Sequence, residues 1–135
     1  MVDVFTKAKR SEIMSKIRNI DTKPELTVKR LLKKYHAKFV THPKDVIGKP
    51  DIANKQKKLA VFIDGCFWHG CKICRTIPKT NRNFWEKKID YNRKRRLKVK
   101  RELKRDGWRV LEFWEHEVNK NSNRVVSVIL EKLNG

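Results

Sequence analysis

The residues best suited to chemistry lie in one short stretch of the chain, FIDGCFWHGCKIC, which runs from Phe62 to Cys74. This stretch contains an aspartate, a histidine and all three cysteines of the sequence. Such side chains are common ligands of protein metal ions, and closely spaced thiols also occur in redox centres. The stretch could therefore form one metal site, a redox centre, or a catalytic centre next to a structural metal site.

Two of the cysteines, Cys71 and Cys74, have a C-x-x-C spacing that lets two thiolates bind one tetrahedral zinc ion. The remaining ligands must come from elsewhere, and His116, just past a predicted strand, is the nearest candidate in chemistry. A thioredoxin-like redox pair is the alternative, but that motif stands at a helix N-terminus and lacks so many flanking basic residues. The spacing therefore favours a structural zinc site.

Two aspartates stand where neighbouring predicted strands begin and end. Asp51 follows the turn sequence Gly48-Lys49-Pro50, and Asp64 closes the apolar run that includes Ile63. Cleavage of a phosphodiester needs carboxylates that hold magnesium near the scissile phosphate, and adjacent strand ends can bring them to one point. Asp51 and Asp64 could form such a nuclease core, although an ordinary turn aspartate is the simpler explanation for Asp51 alone.

The loop between these motifs carries a histidine and two adjacent aromatic residues. His69 could be a further zinc ligand, a packed structural histidine, or a base that activates water, because histidine titrates near neutral pH. Phe67 and Trp68 lie in a polar loop, where side chains are usually at the surface, so they could wedge between base steps or stack on bases. Trp85 could join them or pack against the sheet.

The charge of the chain indicates a polyanionic partner. The formal net charge is +20, from 35 Lys and Arg residues against 15 Asp and Glu residues. Nine basic residues and one acidic residue lie between Arg93 and Arg105, a run that begins Arg93, Lys94, Arg95. DNA phosphates would relieve the repulsion within this run and release counterions. A solvated helix face is the alternative, and a membrane-surface helix is disfavoured because the run lacks a wide apolar face.

The pattern of apolar residues predicts one α/β domain of 135 residues. Helical spacing or capping signals predict helices over 11–20, from Pro24, from a cap at Asn81 or Asn83 to about Asp106, and over 124–133. Strands are predicted over 38–40, 51–53, 58–63 and 108–114. This order is typical of helices around a small mixed sheet, with an antiparallel hairpin and a parallel final strand. No signal peptide or membrane span is predicted, so we expect a cytoplasmic protein.

Five stretches in this order closely resemble the very short patch repair (Vsr) endonucleases: IMSKIRNIDTKPEL, GKPDI, VFIDGCFWHGC, PKTNRNFWEKKI and GWRVLEFWEHEV. The resemblance implies a restriction-endonuclease-like fold of the PD-(D/E)xK type, a mixed central sheet flanked by helices. It implies a magnesium-dependent enzyme that nicks double-stranded DNA 5′ of the thymine in a T·G mismatch. We therefore expect one such domain over residues 1–135, with a DNA-contacting helix within 1–20, in a nucleoid-associated monomer that could have repair-protein partners.

The resemblance also implies roles for individual residues. Asp51 becomes the central magnesium ligand, with the backbone carbonyl of Ile63 beside it. His69 becomes the general base that activates the attacking water, and Glu25 helps to orient metal-bound water. Asp64 stands where the best characterised relative has histidine, so its implied role is metal-proximal or water-positioning. Four residues match side chains that the family inserts into the DNA beside the mismatch: Met14, Phe67, Trp68 and Trp85.

The chain departs from the expected pattern at two places. Cys71, Cys74 and His116 fall at the structural zinc site of the family, but the acidic zinc ligand of the long helix is matched by Arg96. The fourth ligand could then be water, Cys66, a nearby carboxylate or a residue in a shifted register. The commonest nuclease pattern also ends its second strand in acid-x-Lys, whereas this strand ends in Phe62-Ile63-Asp64 without a lysine, as in the family. His69 is therefore expected to share the work of that lysine.

Two other functions remain open from the sequence. A site-specific restriction or homing-type nuclease on matched DNA would keep the same catalytic core. A zinc-stabilised DNA-binding module with a lapsed active site would not need it. Because Glu25, Asp51 and His69 are present together, the sequence favours an enzyme.

Overall fold

The computed structural model describes residues 22–66, 71 and 80–134. The elements in chain order are α1 (Lys23–Lys34), β1 (Val40–Thr41), β2 (Ile52–Asn54), β3 (Leu59–Asp64), α2 (Arg82–Arg105), β4 (Arg109–Trp114), α3 (Glu115–Lys120) and α4 (Ser122–Asn134). The helix expected within 1–20 lies outside the described residues. Five predicted site residues also lie outside the described residues. They are the DNA-contacting residues Met14, Phe67 and Trp68, the general base His69 and the zinc ligand Cys74.

The four described strands form one mixed sheet in the order β1-β2-β3-β4. The β1-β2 and β2-β3 pairs are antiparallel, and β3-β4 is parallel. Parallel strands need a crossover connection. Helix α2, which lies between β3 and β4 in the sequence, provides that connection. The predicted mixed α/β architecture is therefore confirmed, although the first strand is Val40–Thr41 rather than 38–40 and the short helix α3 was not predicted.

The central strand β3 separates two apolar cores because its side chains alternate between the faces of the sheet. Val61 and Ile63 pack with Val28 of α1 and Ile129 of α4. Phe62, on the other face, packs in a second core with Leu103 of α2 and its neighbours. Helices therefore cover both faces of the sheet, and the next residue of the alternation, Asp64, belongs to the α2 face.

Helix α1 begins where its capping signals predict. The Thr22 side chain accepts a hydrogen bond from the Glu25 N–H at 3.4 Å, and Pro24 lies in the first turn. Val28 and Leu32 on the same helix are fully buried in the core. Packing of this apolar stripe holds Glu25 and Lys29, one turn apart, at the edge of the sheet.

Helix α2 has 24 residues, which corresponds to a length of about 36 Å. It ends before Gly107, which has the positive φ of 87° predicted for a helix stop. Leu103 packs under the sheet, whereas Arg96 contacts Asp64, the last residue of β3. The helical residues 82–95 precede this contact and account for about 20 Å of the length of α2. We call residues 82–95 the α2 overhang.

Candidate active site and metal centre

Three side chains from separate parts of the fold meet at one end of β3. Glu25 comes from the first turn of α1, His42 follows β1, and Asp51 precedes β2. One ligand atom of each lies within 4.8 Å of the other two. His42 Nε2 is 3.1 Å from Glu25 Oε2, and His42 Nδ1 is 3.8 Å from Asp51 Oδ1. We call Glu25, His42 and Asp51 the acidic cluster.

The backbone of β3 orients Asp51. The Ile63 N–H donates a hydrogen bond of 2.7 Å to Asp51 Oδ2. Within a β-strand, the N–H and C=O of one residue point to the same side, so the Ile63 carbonyl also points toward β2 and Asp51. The structure thus brings together three of the groups expected from the sequence, which are Glu25, Asp51 and the Ile63 backbone.

The two carboxyl groups of the cluster have opposite pKa shifts. Burial, together with the adjacent Glu25, raises the pKa of Asp51 to about 9, although the Ile63 N–H opposes the shift. Burial also acts to raise the pKa of Glu25, but hydrogen bonds with Asp51, Lys29 and His42 lower it to about 2. At neutral pH the pair therefore holds one proton, on Asp51.

This arrangement suits a divalent cation. Two buried carboxylates that share a proton can exchange that proton for a metal ion, and oxygen ligands are those that magnesium prefers. The backbone carbonyl of Ile63 adds a neutral oxygen on the same side. The donor set of Glu25, Asp51 and Ile63 therefore fits magnesium on chemical grounds.

Two residues of this site, Lys29 and His42, were not predicted from the sequence. Lys29 Nζ is 3.0 Å from Glu25 Oε2 and 3.4 Å from His42 Nε2. The i,i+4 spacing of Glu25 and Lys29 on one helix could have indicated their pairing. His42 has no spacing signal, because it reaches Asp51 only through the β1-β2 pairing, where its N–H donates to the Asp51 carbonyl at 3.3 Å. Its positive φ of 46° is of the kind that concentrates at functional sites.

Asp64 is placed on the other face of the sheet from the acidic cluster. Arg96 Nη1 donates to Asp64 Oδ1 at 2.6 Å and lies 3.4 Å from Glu112 Oε2. The Arg96 guanidinium also covers the ring of Phe62, at 3.9 Å from the ring centroid. Among the described residues, Asp64 contributes negative charge near Asp51 but no ligand atom to the acidic cluster.

A second group of potential metal ligands lies at the start of the cysteine loop. The His116 Nδ1 atom is 3.4 Å from Cys66 Sγ and 3.6 Å from Cys71 Sγ. Both cysteines are buried, and the Cys71 N–H donates to the Cys66 carbonyl at 2.9 Å. The structure thus unites the predicted ligands Cys71 and His116 with Cys66, one of the open alternatives for the fourth ligand. Arg96 takes no part in this group because it pairs with Asp64.

Thiolates and an imidazole within 4.8 Å of one another fit zinc on chemical grounds. The acidic cluster, by contrast, offers mainly oxygen. The two groups therefore suit different metals. Of the three possibilities that the sequence left open, this favours a catalytic centre beside a structural metal site.

The predicted DNA-contacting residues of α2 have different environments. Arg93, Lys94 and Arg95 are exposed on the α2 overhang. Trp85 is only 2% exposed, whereas the adjacent Phe84 is 48% exposed and makes an edge contact with the Trp85 ring. The burial of Trp85 favours the packing alternative over a base contact. None of the described helices is long and apolar enough to cross a membrane.

The chain is similar in sequence to several known proteins. The family model described as DNA mismatch endonuclease Vsr matches residues 2–75. The Type II nicking enzyme V.NmeAIP of Neisseria meningitidis is 41% identical over 119 residues, which cover 87% of this chain and 85% of that protein. The Type II nicking enzyme V.XorIIP of Xanthomonas oryzae is 36% identical over 121 residues, 88% of each chain. The DNA mismatch endonuclease Vsr of Escherichia coli is 32% identical over 135 residues, 98% of this chain and 86% of that protein.

These matches define the class of the protein, which is a DNA endonuclease. The chain belongs to the DNA mismatch endonuclease Vsr family. The resemblance found in the sequence and the prediction of an enzyme are therefore confirmed.

Proposed function

We propose that this protein is a magnesium-dependent endonuclease that nicks DNA 5′ of the thymine at T·G mismatches, as in very short patch repair. The observation that carries the proposal is that ligand atoms of Glu25 and Asp51 lie within 4.8 Å of each other, beside the Ile63 backbone, at a site suited to a divalent cation. The relative named DNA mismatch endonuclease, which matches 98% of this chain, supports the mismatch substrate. We further propose that residues 1–135 form one restriction-endonuclease-like domain.

Each residue of the site has a distinct task in this proposal. Asp51 and the Ile63 carbonyl would hold magnesium, which would polarise the scissile phosphate and help to activate water. Glu25 would orient the attacking water through its carboxylate, and His69 would accept the proton of that water as general base. Met14, Phe67 and Trp68 contact the bases beside the mismatch.

A nicking assay on a panel of duplexes tests the substrate. We expect magnesium-dependent nicking 5′ of the thymine in T·G duplexes and little nicking of the same sequence with T·A or C·G pairs. The second candidate is a site-specific nicking enzyme, which is favoured by the names of relatives that are 35% to 42% identical to this chain. Equal nicking of matched and mismatched duplexes at one sequence would establish that second candidate.

We propose zinc for the second group of ligands, with Cys66, Cys71 and His116 joined by Cys74. Such an ion would tie the loop after β3 to helix α3 and stabilise the fold. Cys66→Ser is expected to lower the zinc content of the purified protein from about one equivalent toward zero and to lower its melting temperature. Metal analysis and thermal unfolding measure both effects. Cys74→Ser is the matched comparison, and a Cys66→Ser protein that keeps its zinc would remove Cys66 from the ligand set.

The α2 overhang is our proposed contact with the DNA backbone. Replacement of Arg93, Lys94 and Arg95 by glutamine is expected to weaken binding to all duplexes. It should also reduce the slope of log affinity against log salt by about 0.9 for each phosphate that is no longer neutralised. Binding titrations at several salt concentrations without magnesium measure this slope. The control replaces three exposed basic residues of the same helix beyond the overhang, Lys98, Lys104 and Arg105. An equal change of slope in both variants would contradict a special role for the overhang.

A further inference from the structure

A lysine ammonium contacts the acidic cluster although β3 does not end in a lysine. Lys29 Nζ, Glu25 Oε2 and His42 Nε2 form a triangle with edges of 3.0, 3.1 and 3.4 Å. Lys29 is 8% exposed and Glu25 is 1% exposed. Because so little water reaches these groups, the ion pair is only weakly screened. The positive charge of Lys29 is thus a fixed part of the site.

Stability alone is a poor reason for this charge. An ammonium group gives up its hydration when it is buried, and a buried ion pair often contributes no more than an apolar replacement of similar volume. Position 29 lies on the same helix as the core residues Val28 and Leu32, where an apolar side chain could pack without that cost. The location of Nζ between Glu25 and His42 therefore points to the chemistry of the site.

We propose that Lys29 supplies the positive charge of this active site. It does so from helix α1, whereas in the acid-x-Lys pattern the lysine stands on the strand. Lys29 is a positioning residue, because it acts through Glu25 and His42 rather than by a shown contact with substrate. It holds the Glu25 carboxylate beside Asp51. This inference rests on the proposed function, in which Glu25 and Asp51 serve the divalent cation.

The charge of Lys29 has two opposite consequences. The ammonium competes with a divalent cation for Glu25, so the cation binds more weakly in its presence. The same ammonium offsets the net negative charge of the Glu25–Asp51 pair, which otherwise repels the phosphate of the DNA. If Lys29 only stabilised the fold, its replacement would not strengthen magnesium binding while it slowed nicking.

The test is a comparison of magnesium affinity with nicking rate. Lys29→Met is expected to bind magnesium about tenfold more tightly in calorimetric titrations without DNA, because the competing charge is removed. At saturating magnesium it is expected to nick DNA about 10- to 100-fold more slowly, the scale of losing a residue that positions a metal ligand. Lys29→Arg retains the charge and should restore most of the rate. Lys33→Met, the same change at an exposed position one turn along α1, should leave magnesium affinity unaltered.

Several results would overturn the inference. One is wild-type nicking by Lys29→Met; another is weaker magnesium binding together with a lower melting temperature, which would make Lys29 a structural residue. If Lys29→Met does not fold, Lys29→Gln takes its place, and failure of both to fold would equally assign Lys29 to stability. Asp51→Asn accompanies each assay: nicking by Asp51→Asn would overturn the proposed function itself, whereas an inactive Asp51→Asn with a fully active Lys29→Met would overturn only the role of Lys29.

Discussion

Asp51→Asn is expected to abolish nicking and to leave the protein at least as stable as the wild type at neutral pH. Asp51 is protonated there because its pKa is raised to about 9, so asparagine closely matches its charge and shape. The amide oxygen can accept the Ile63 N–H, and the amide nitrogen can donate to Glu25. Activity should fall by about a thousandfold or more, because a neutral amide cannot replace a carboxylate as a metal ligand.

The pH dependence of stability provides a check on this prediction. The pKa of Asp51 in the folded protein lies above its ordinary value of 3.8, so the folded state binds the proton more tightly than the unfolded state. The stability from Asp51 is therefore fully present below about pH 4 and is lost as the pH rises toward 9. Asparagine does not titrate, so the melting temperature of Asp51→Asn should rise relative to that of the wild type from about pH 4 to pH 9 without magnesium.

Asp51→Ala serves as the comparison. Alanine leaves the Ile63 N–H without its side-chain acceptor, which costs about 1–3 kcal/mol. We therefore expect both variants to be inactive but only Asp51→Ala to be clearly destabilised. Substantial nicking by Asp51→Asn would exclude Asp51 as the central metal ligand.

Arg96→Met is expected to destabilise the protein by about 3 kcal/mol, because it leaves the Asp64 carboxylate buried without its cation. The side chain of Asp64 is 8% exposed and that of Arg96 is 16% exposed, so solvent compensates little for the change. Methionine also cannot replace the guanidinium in its ion pair with Glu112 or in its cation–π contact with the Phe62 ring. Chemical denaturation of the purified variant measures the change in free energy of unfolding.

The double variant Asp64→Leu with Arg96→Met separates a structural role of Asp64 from a catalytic one. Replacing both members of a buried ion pair with apolar residues often restores stability. We expect the double variant to recover most of the stability of the wild type and to nick at a rate near that of the wild type. A stable but inactive double variant would show that Asp64 has a catalytic role, as the family resemblance implied.

Local signals in the sequence were sufficient for the main elements of the fold. Thr22 and Pro24 define the start of α1, Gly107 defines the end of α2, and the apolar run before Asp64 identifies the central strand. These signals act between residues that are close in the sequence, so they can be recognised without knowledge of the tertiary structure. The short helix α3 has a single buried residue, Val118, and therefore no apolar period to reveal it.

The site was harder to predict because its contacts join distant parts of the chain. The predicted strand ends indicated Asp51, and the family resemblance added Glu25. Only the pairing of β1 with β2 places His42 beside Asp51, and only the packing of α1 brings Glu25 and Lys29 to the same point. Asp64 follows Ile63 on β3, and adjacent residues of a strand direct their side chains to opposite faces of the sheet. Its pairing with Arg96 therefore emerged only from the packing of α2 on the sheet.

The α2 overhang also has a consequence for the size of the substrate. A helical segment of about 20 Å spans about six base pairs of B-form DNA, at 3.4 Å for each base pair along one strand. A duplex that ends short of this distance on the side of the overhang would leave basic residues without phosphates. The footprint of the enzyme on DNA should thus be longer on one side of the cleavage point than on the other.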